Sequence, residues 1–167
     1  MRKLLTLAMT MMLVILITIP VMAETEVTNH EYTEIFAGMT GEDYENLRKV
    51  VYWESAIADC PISTDIAVVR TVMNRVLDPE WPNTVTGVIR QKGQFWTRNF
   101  GKTVAYPETV DDAINYVYLN GAEDFPIDST YFATKRQSCA KDHQWIGGRK
   151  ADGSPLKGKG MWFARKK

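Results

Sequence analysis

Apolar residues between Thr40 and Leu77 recur at helical spacing, and one carboxylate shares their stripe. At about 100° per residue, Leu47, Val50, Val51 and Glu54 fall within an arc of about 100°. Thr40, three residues before Asp43, has the spacing of a capping box and predicts a helix start. That helix must end before Cys60-Pro61. A second helix is predicted from Ser63 or Thr64 to about Leu77, with Ile66, Val69, Met73 and Val76 as its stripe and Asp78-Pro79 as its stop. Residues 82–91 read as a short helix capped by Asn83 or Thr84, and 92–103 as an irregular loop. Pro107 opens a further helix carrying Val110, Ala113, Tyr116 and Val117, closed by Asn120-Gly121. The period then changes. Residues 129–134 and 160–165 are short, aromatic and strand-like, and the glycine-bearing stretch between them is predicted to be loop. The expected fold is a small α+β domain over residues 40–167, with about four helices followed by a short antiparallel β-hairpin.

The ends of the chain read differently. Arg2 and Lys3 precede an apolar run broken at Pro20, and a small residue stands at Ala23. This pattern predicts a secretory signal over residues 1–23, cleaved before Glu24, with an uncleaved membrane anchor as the alternative. Residues 24–39 are acidic and weakly patterned, and are expected to form a short lead-in. An exported, secreted or wall-associated protein follows, with no role in binding nucleic acid.

Charge is unevenly distributed. Residues 135–167 hold ten Lys/Arg against Asp142 and Asp152, a net of +8, whereas residues 24–134 carry a net of −10. The basic third is suited to a polyanion, a wall polymer or anionic lipid, or to pairing with the acidic remainder. Cys60 and Cys139 are the only cysteines, and in an exported chain a disulfide between them is the expectation. A zinc site using these two and His143 lacks the usual two-residue ligand spacings. No metal or other cofactor is expected, and the protein is expected to be a monomer.

Glu54 has two readings. It can be neutralised by Arg70 or Arg75 as a structural pair, which spacing alone favours. Alternatively it faces a cleft where partial burial keeps it protonated, as acid-catalysed glycosidic cleavage requires. Aromatic and amide side chains at Gln94, Phe95, Trp96, Asn99, Tyr131, Phe132, Trp145 and Trp162 suit sugar rings, because aromatic faces cover C–H surfaces and amides bond hydroxyls. Phe132 and Trp96 are expected to be core residues instead.

The run "VVYWES" and "DIAVVRTVMNRVLDPEWPNTVTGVIRQKGQF" resembles the SleB-type cell wall hydrolases, the spore cortex-lytic enzyme family. Tyr52 and Glu54 match its "V-Y-x-E" helix, residues 67–76 its "A-V-A-x-V-I-L-N-R-V" helix, and 81–91 with Gln94-Phe95 the following motifs. "STYFAT" is similar to its later strand and "GKGMWFA" to its closing "I-G-x-H-x-F", with Gly160 standing where the family has histidine. About two extra residues, Cys60 among them, follow Glu54, and the family's usual "G-E" is missing. Trp81 replaces phenylalanine.

The resemblance implies a lysozyme-like fold and cleavage between N-acetylmuramic acid and N-acetylglucosamine in peptidoglycan glycan strands. It implies Glu54 as the catalytic acid and lytic transglycosylation as the reaction. Tyr52, Asn74, Gln94, Phe95, Tyr131 and Trp145 are the expected substrate contacts. A hydrolytic muramidase would need a second carboxylate, for which Asp59, Asp65 and Glu80 are candidates. Two other readings are a Cys–His peptidase using Cys60 and His143, and a wall-binding protein without catalysis.

Overall fold

The computed structural model describes residues 29–121 and 128–167. The expected signal segment and its cleavage point lie outside them. Among the described residues there are five α-helices, α1 (Asn29–Gly38), α2 (Gly41–Glu54), α3 (Ile62–Leu77), α4 (Val85–Ile89) and α5 (Glu108–Asn120). Two 3₁₀ turns (Ala56–Ala58 and Thr97–Asn99) and three strands, β1 (Tyr131–Ala133), β2 (Ala140–Arg149) and β3 (Pro155–Lys166), complete them. The strands form one antiparallel sheet in the order β1-β3-β2. The architecture is α+β, as expected.

Local signals act as their chemistry requires. Thr40 accepts from the Asp43 N–H at 3.1 Å and Asp43 accepts from the Thr40 N–H at 3.0 Å, closing the capping box. Asp43 also accepts from the Thr86 N–H at 2.9 Å, which ties α2 to α4. Burial raises its pKa, but the bonds from Thr86 and Thr40 outweigh that and hold it at about 2. Thr84 caps α4 through the Gly87 N–H.

The core lies between the helices and one face of the sheet. Leu47, Val50 and Val51 of α2 are fully buried, with Val68, Val69, Val72 and Met73 of α3, Val110 and Val117 of α5, and Phe163 of β3. The single-face stripe expected for α3 is only part of its burial. Every residue from Thr64 to Arg75 is buried, since the helix lies between α1, α2, α4, α5 and the sheet. Two of its polar side chains bond inside the fold: the Thr71 hydroxyl meets that of Ser129 at 2.8 Å, and Arg75 Nε donates to the Thr130 carbonyl at 2.7 Å.

Three expectations are corrected. The segment read as a lead-in carries α1, and its Tyr32 is fully buried and donates to Asn74. The stretch read as loop between the two aromatic strands is β2, a tight turn and the first part of β3. Its glycines misled because two of them, Gly147 and Gly160, face each other across the strands. A Cβ on Gly160 would lie 2.4 Å from the Ile146 oxygen and 2.6 Å from Gly147 Cα. No side chain fits there unless the strands move apart.

The disulfide does not form, and both cysteines are free. Cys60 Sγ lies 4.0 Å from the Gly158 oxygen, near the hairpin turn. Cys139 precedes β2 at the other end, where Ala140 pairs with Lys166. The length of β2 separates them, about 25–30 Å at the rise of a strand. Lys159 ties the bend after α2 to the hairpin instead, its ammonium donating to the Ala58 and Asp59 carbonyls and to the Asp59 carboxylate at 3.0–3.1 Å.

Candidate active site

Glu54 is the last residue of α2, at the point where the buried stripe of that helix reaches the surface. Its carboxyl is partly buried. Oε1 accepts the Trp96 backbone N–H at 2.8 Å. That donor is presented by a γ-turn: Trp96 has φ −78° and ψ 56°, and the Thr97 N–H bonds back to the Phe95 carbonyl at 2.8 Å. The turn sends Phe95 into the core and leaves Trp96 48% exposed, with Arg98 stacked 3.7 Å from its ring. Trp96 is therefore not a core residue, contrary to expectation, whereas Phe132 packs between Phe95 and Phe163.

Burial raises the pKa of Glu54, and it outweighs the Trp96 N–H and the charge of Arg75, which both act to lower it. Of the two arginines expected as partners, Arg75 is the one whose charge reaches Glu54, yet the two make no direct ion pair. Aromatic faces hold Arg75 instead. Its guanidinium lies 4.2 Å from the Trp81 ring centre, 5.0 Å from Phe95 and 5.9 Å from Phe132. Burial lowers its pKa to about 10, against the raising effects of Tyr131 and Glu54, so it remains a cation at neutral pH.

The expected substrate contacts divide. Phe95 is buried beneath Arg75, and Tyr131 packs edge-on against Trp81 at 6.4 Å. Gln94 is exposed beside a cleft of about 340 Å³ lined by Glu80, Trp81, Gln91 and Lys92. These residues extend outward from Glu54 through Arg75 and Trp81. Three do not join them. Tyr52 packs with Trp53 and Tyr106 at 5.0 and 5.7 Å. Trp145 packs on Trp162 in the hairpin at 5.6 Å and donates its indole N–H to the Gly148 carbonyl. Asn74 is buried, its amide committed to the hydroxyl of Tyr32 and the carbonyl of Ser129. Sequence reasoning missed the Trp96 N–H, for which no side-chain signal exists. It also missed Trp81 as a neighbour of the site, though aromatic residues close to Gln94 in the chain could have suggested it.

Other acids and nucleophiles have partners of their own. Asp59 pairs with Lys159 at 3.0 Å, Glu80 with Lys166, and Asp65 is fully buried against Ser55. The Cys60 thiol is pushed up by burial and by Asp65, which disfavours a thiolate. His143 accepts the Gln137 N–H at the Cys139 end of the hairpin, remote from Cys60. A Cys–His pair and a zinc site that includes Cys60 are thereby ruled out geometrically.

Comparisons with known proteins identify the family. The family model described as Cell Wall Hydrolase matches residues 61–154, beginning after Glu54. The chain is similar to the catalytic domain of the Bacillus cereus SleB protein, at 25% identity over 77% of this chain and 93% of that one, with a TM-score of 0.50. It is also similar to the catalytic domain of the germination-specific lytic transglycosylase SleB from Bacillus anthracis, at 26% identity over 77% of this chain and 98% of the other, with a TM-score of 0.49. No curated protein sequence matches. With the family model covering more than half its length, the chain belongs to the cell wall hydrolases, enzymes that act on peptidoglycan.

Proposed function

We propose that this enzyme cleaves the bond between N-acetylmuramic acid and N-acetylglucosamine by lytic transglycosylation, with Glu54 as general acid and then general base. The observation that carries the reading is the environment of that carboxyl: raised by burial, accepting one backbone N–H, and near a cation that does not pair with it. With Oε1 occupied by the Trp96 N–H, the proton resides on Oε2 and is available to a glycosidic oxygen. When it leaves, the Trp96 N–H and Arg75 stabilise the carboxylate that remains. The groups that oppose protonation in the resting enzyme thus favour the transfer itself. The carboxylate next takes the proton of the muramic acid C6 hydroxyl. That oxygen attacks C1, and a 1,6-anhydro end is released without water.

A single acid suffices because the substrate supplies the nucleophile, whereas a two-carboxylate hydrolase needs a second free acid. The engagement of Asp59, Asp65 and Glu80 supports the first route. Trp96, Trp81, Gln94 and Tyr131 are proposed to contact the sugars. The basic hairpin is proposed to help hold the exported enzyme on anionic wall polymer. Mass analysis of muropeptides released from purified sacculi tests the reaction: ends lighter by one water indicate transglycosylation, and reducing ends would establish a muramidase.

A further inference from the structure

Directly behind Glu54, at the break between α2 and the following 3₁₀ turn, Ser55 is fully buried. Its φ of −135° and ψ of −49° belong to neither helix nor strand. Its N–H and its hydroxyl oxygen each lie 3.1 Å from the Val51 carbonyl oxygen, one turn back in α2. The same hydroxyl meets Oδ1 of Asp65 from the first turn of α3. A serine hydroxyl has one proton and cannot donate it to two acceptors.

Asp65 resolves the count. It is fully buried, and among the described residues its Oδ2 has no partner at hydrogen-bond distance, the Thr109 hydroxyl acting on the carboxyl from farther off. It does not cap α3, which begins at Ile62 after Pro61 and has no side-chain cap. The groups facing it are the Ser55 hydroxyl from α2, Thr109 from α5, and the Cys60 thiol from the bend before α3. Charged groups stand one step further off: Glu54 adjoins Ser55, and Asp59 with Lys159 flanks Cys60. Among the described residues no cation contacts Asp65. An ionised carboxylate with one empty oxygen and no cation is costly at such a site, and a neutral acid is not. Burial pushes Asp65 up to about 6, against the hydroxyls of Ser55 and Thr109. As the neutral acid, Asp65 donates to Ser55 Oγ, and Ser55 donates to Val51. Once ionised, Asp65 draws the Ser55 proton to itself and the Val51 contact is lost.

We propose that Asp65, held as a neutral acid, is a positioning residue for Glu54: its proton orients the Ser55 hydroxyl, which fastens the last turn of α2 and sets the direction of the Glu54 carboxyl. This rests on the reading of Glu54 as the catalytic acid.

Three variants test it, with kcat and KM measured on soluble glycan fragments and Tm measured from pH 4 to pH 7. Asp65→Asn supplies an uncharged N–H donor to Ser55, and is expected to keep kcat within about threefold at pH 5.5. Because the folded enzyme holds this proton more tightly than the unfolded chain does, wild-type stability declines as pH rises from about 4 to about 6. In Asp65→Asn that share of the decline disappears. Ser55→Ala removes only the hydroxyl, and is expected to lower kcat about tenfold with KM within about twofold. The proposal is overturned if folded Asp65→Asn loses a hundredfold or more in kcat, which would make Asp65 an ionised catalytic carboxylate. It is equally overturned if Ser55→Ala keeps full kcat, or if the Tm profiles of wild type and Asp65→Asn superimpose. Glu54→Gln, assayed alongside, separates the two readings: full activity there would remove Glu54 as the acid, whereas the Tm comparison reports on Asp65 alone.

Discussion

In the helical body Asp43, Asp65, Arg70 and Arg75 are buried, whereas in residues 135–167 every lysine and arginine except Lys159 and Arg165 is exposed. The same side-chain chemistry does different things in the two places. Desolvation in the body moves Glu54 and Asp65 up and Arg75 down, so proton affinities there are set by the fold. On the hairpin, Lys159, Arg165 and Lys166 pair with Asp59, Asp128 and Glu80, partly fulfilling the expectation that the basic third balances the acidic remainder. Lys135, Arg136, Lys141, Lys150, Lys157 and Lys167 make no ion pair among the described residues. Such solvated charges shift surface potential and attachment, not acidity. On this account proton chemistry is assigned to the body, and the hairpin is proposed to serve attachment.

The sharpest way to break that division is Glu54→Gln. It is expected to lower kcat about a thousandfold on sacculi, the scale of a lost general acid. Since burial disfavours the ionised glutamate, the variant is expected to unfold at pH 8 no lower than the wild type, as read by calorimetry. Next in size is Gly160→Ala, a change in the hairpin. The added Cβ must push the strands apart at Gly147, and a loss of about 2–3 kcal/mol in chemical denaturation is expected. Arg75→Met sharpens the comparison within the body. Removing the cation takes away a lowering influence on Glu54, so the alkaline limb of kcat is expected to move to higher pH. Trp96→Ala has a smaller effect, because the backbone N–H that contacts Glu54 survives. KM is expected to rise several-fold while kcat changes less than about threefold. Smallest is replacement of Lys150 and Lys157 by glutamine. Turnover of soluble fragments is expected to be unchanged, with weaker and less salt-sensitive retention on sacculi.

Local chemistry explains which parts of this picture could be read in advance. The capping box at Thr40 and Asp43, the end of α2 at Glu54, and the stop at Asp78-Pro79 depend on residues within a few positions of each other, and each element stands where that chemistry puts it. The hairpin depends on pairing between distant residues. Gly147 and Gly160 look like loop residues until their strands are laid side by side, and bulges between Lys141 and Gln144 and between Gly147 and Arg149 disturb the alternation that marks a strand. Helix α1 was hidden because an acidic, weakly patterned segment contributes one fully buried ring, Tyr32, to the core. At the site, the place of Glu54 on an apolar stripe was legible from spacing. Asn74 was misleading: its amide suits a sugar hydroxyl but is used by Tyr32 and Ser129. The direction of Trp96 was not legible, since a γ-turn is a backbone event that the side chains flanking it do not announce.

The most direct measurement is a titration of the Glu54 side-chain carboxyl by carbon-detected NMR, on the intact enzyme, beside the pH profile of kcat. The midpoint is expected above the ordinary glutamate value, to coincide with the alkaline limb, and to rise in Arg75→Met. A carboxyl fully ionised at pH 5, with activity persisting well above its midpoint, would contradict Glu54 as the proton donor.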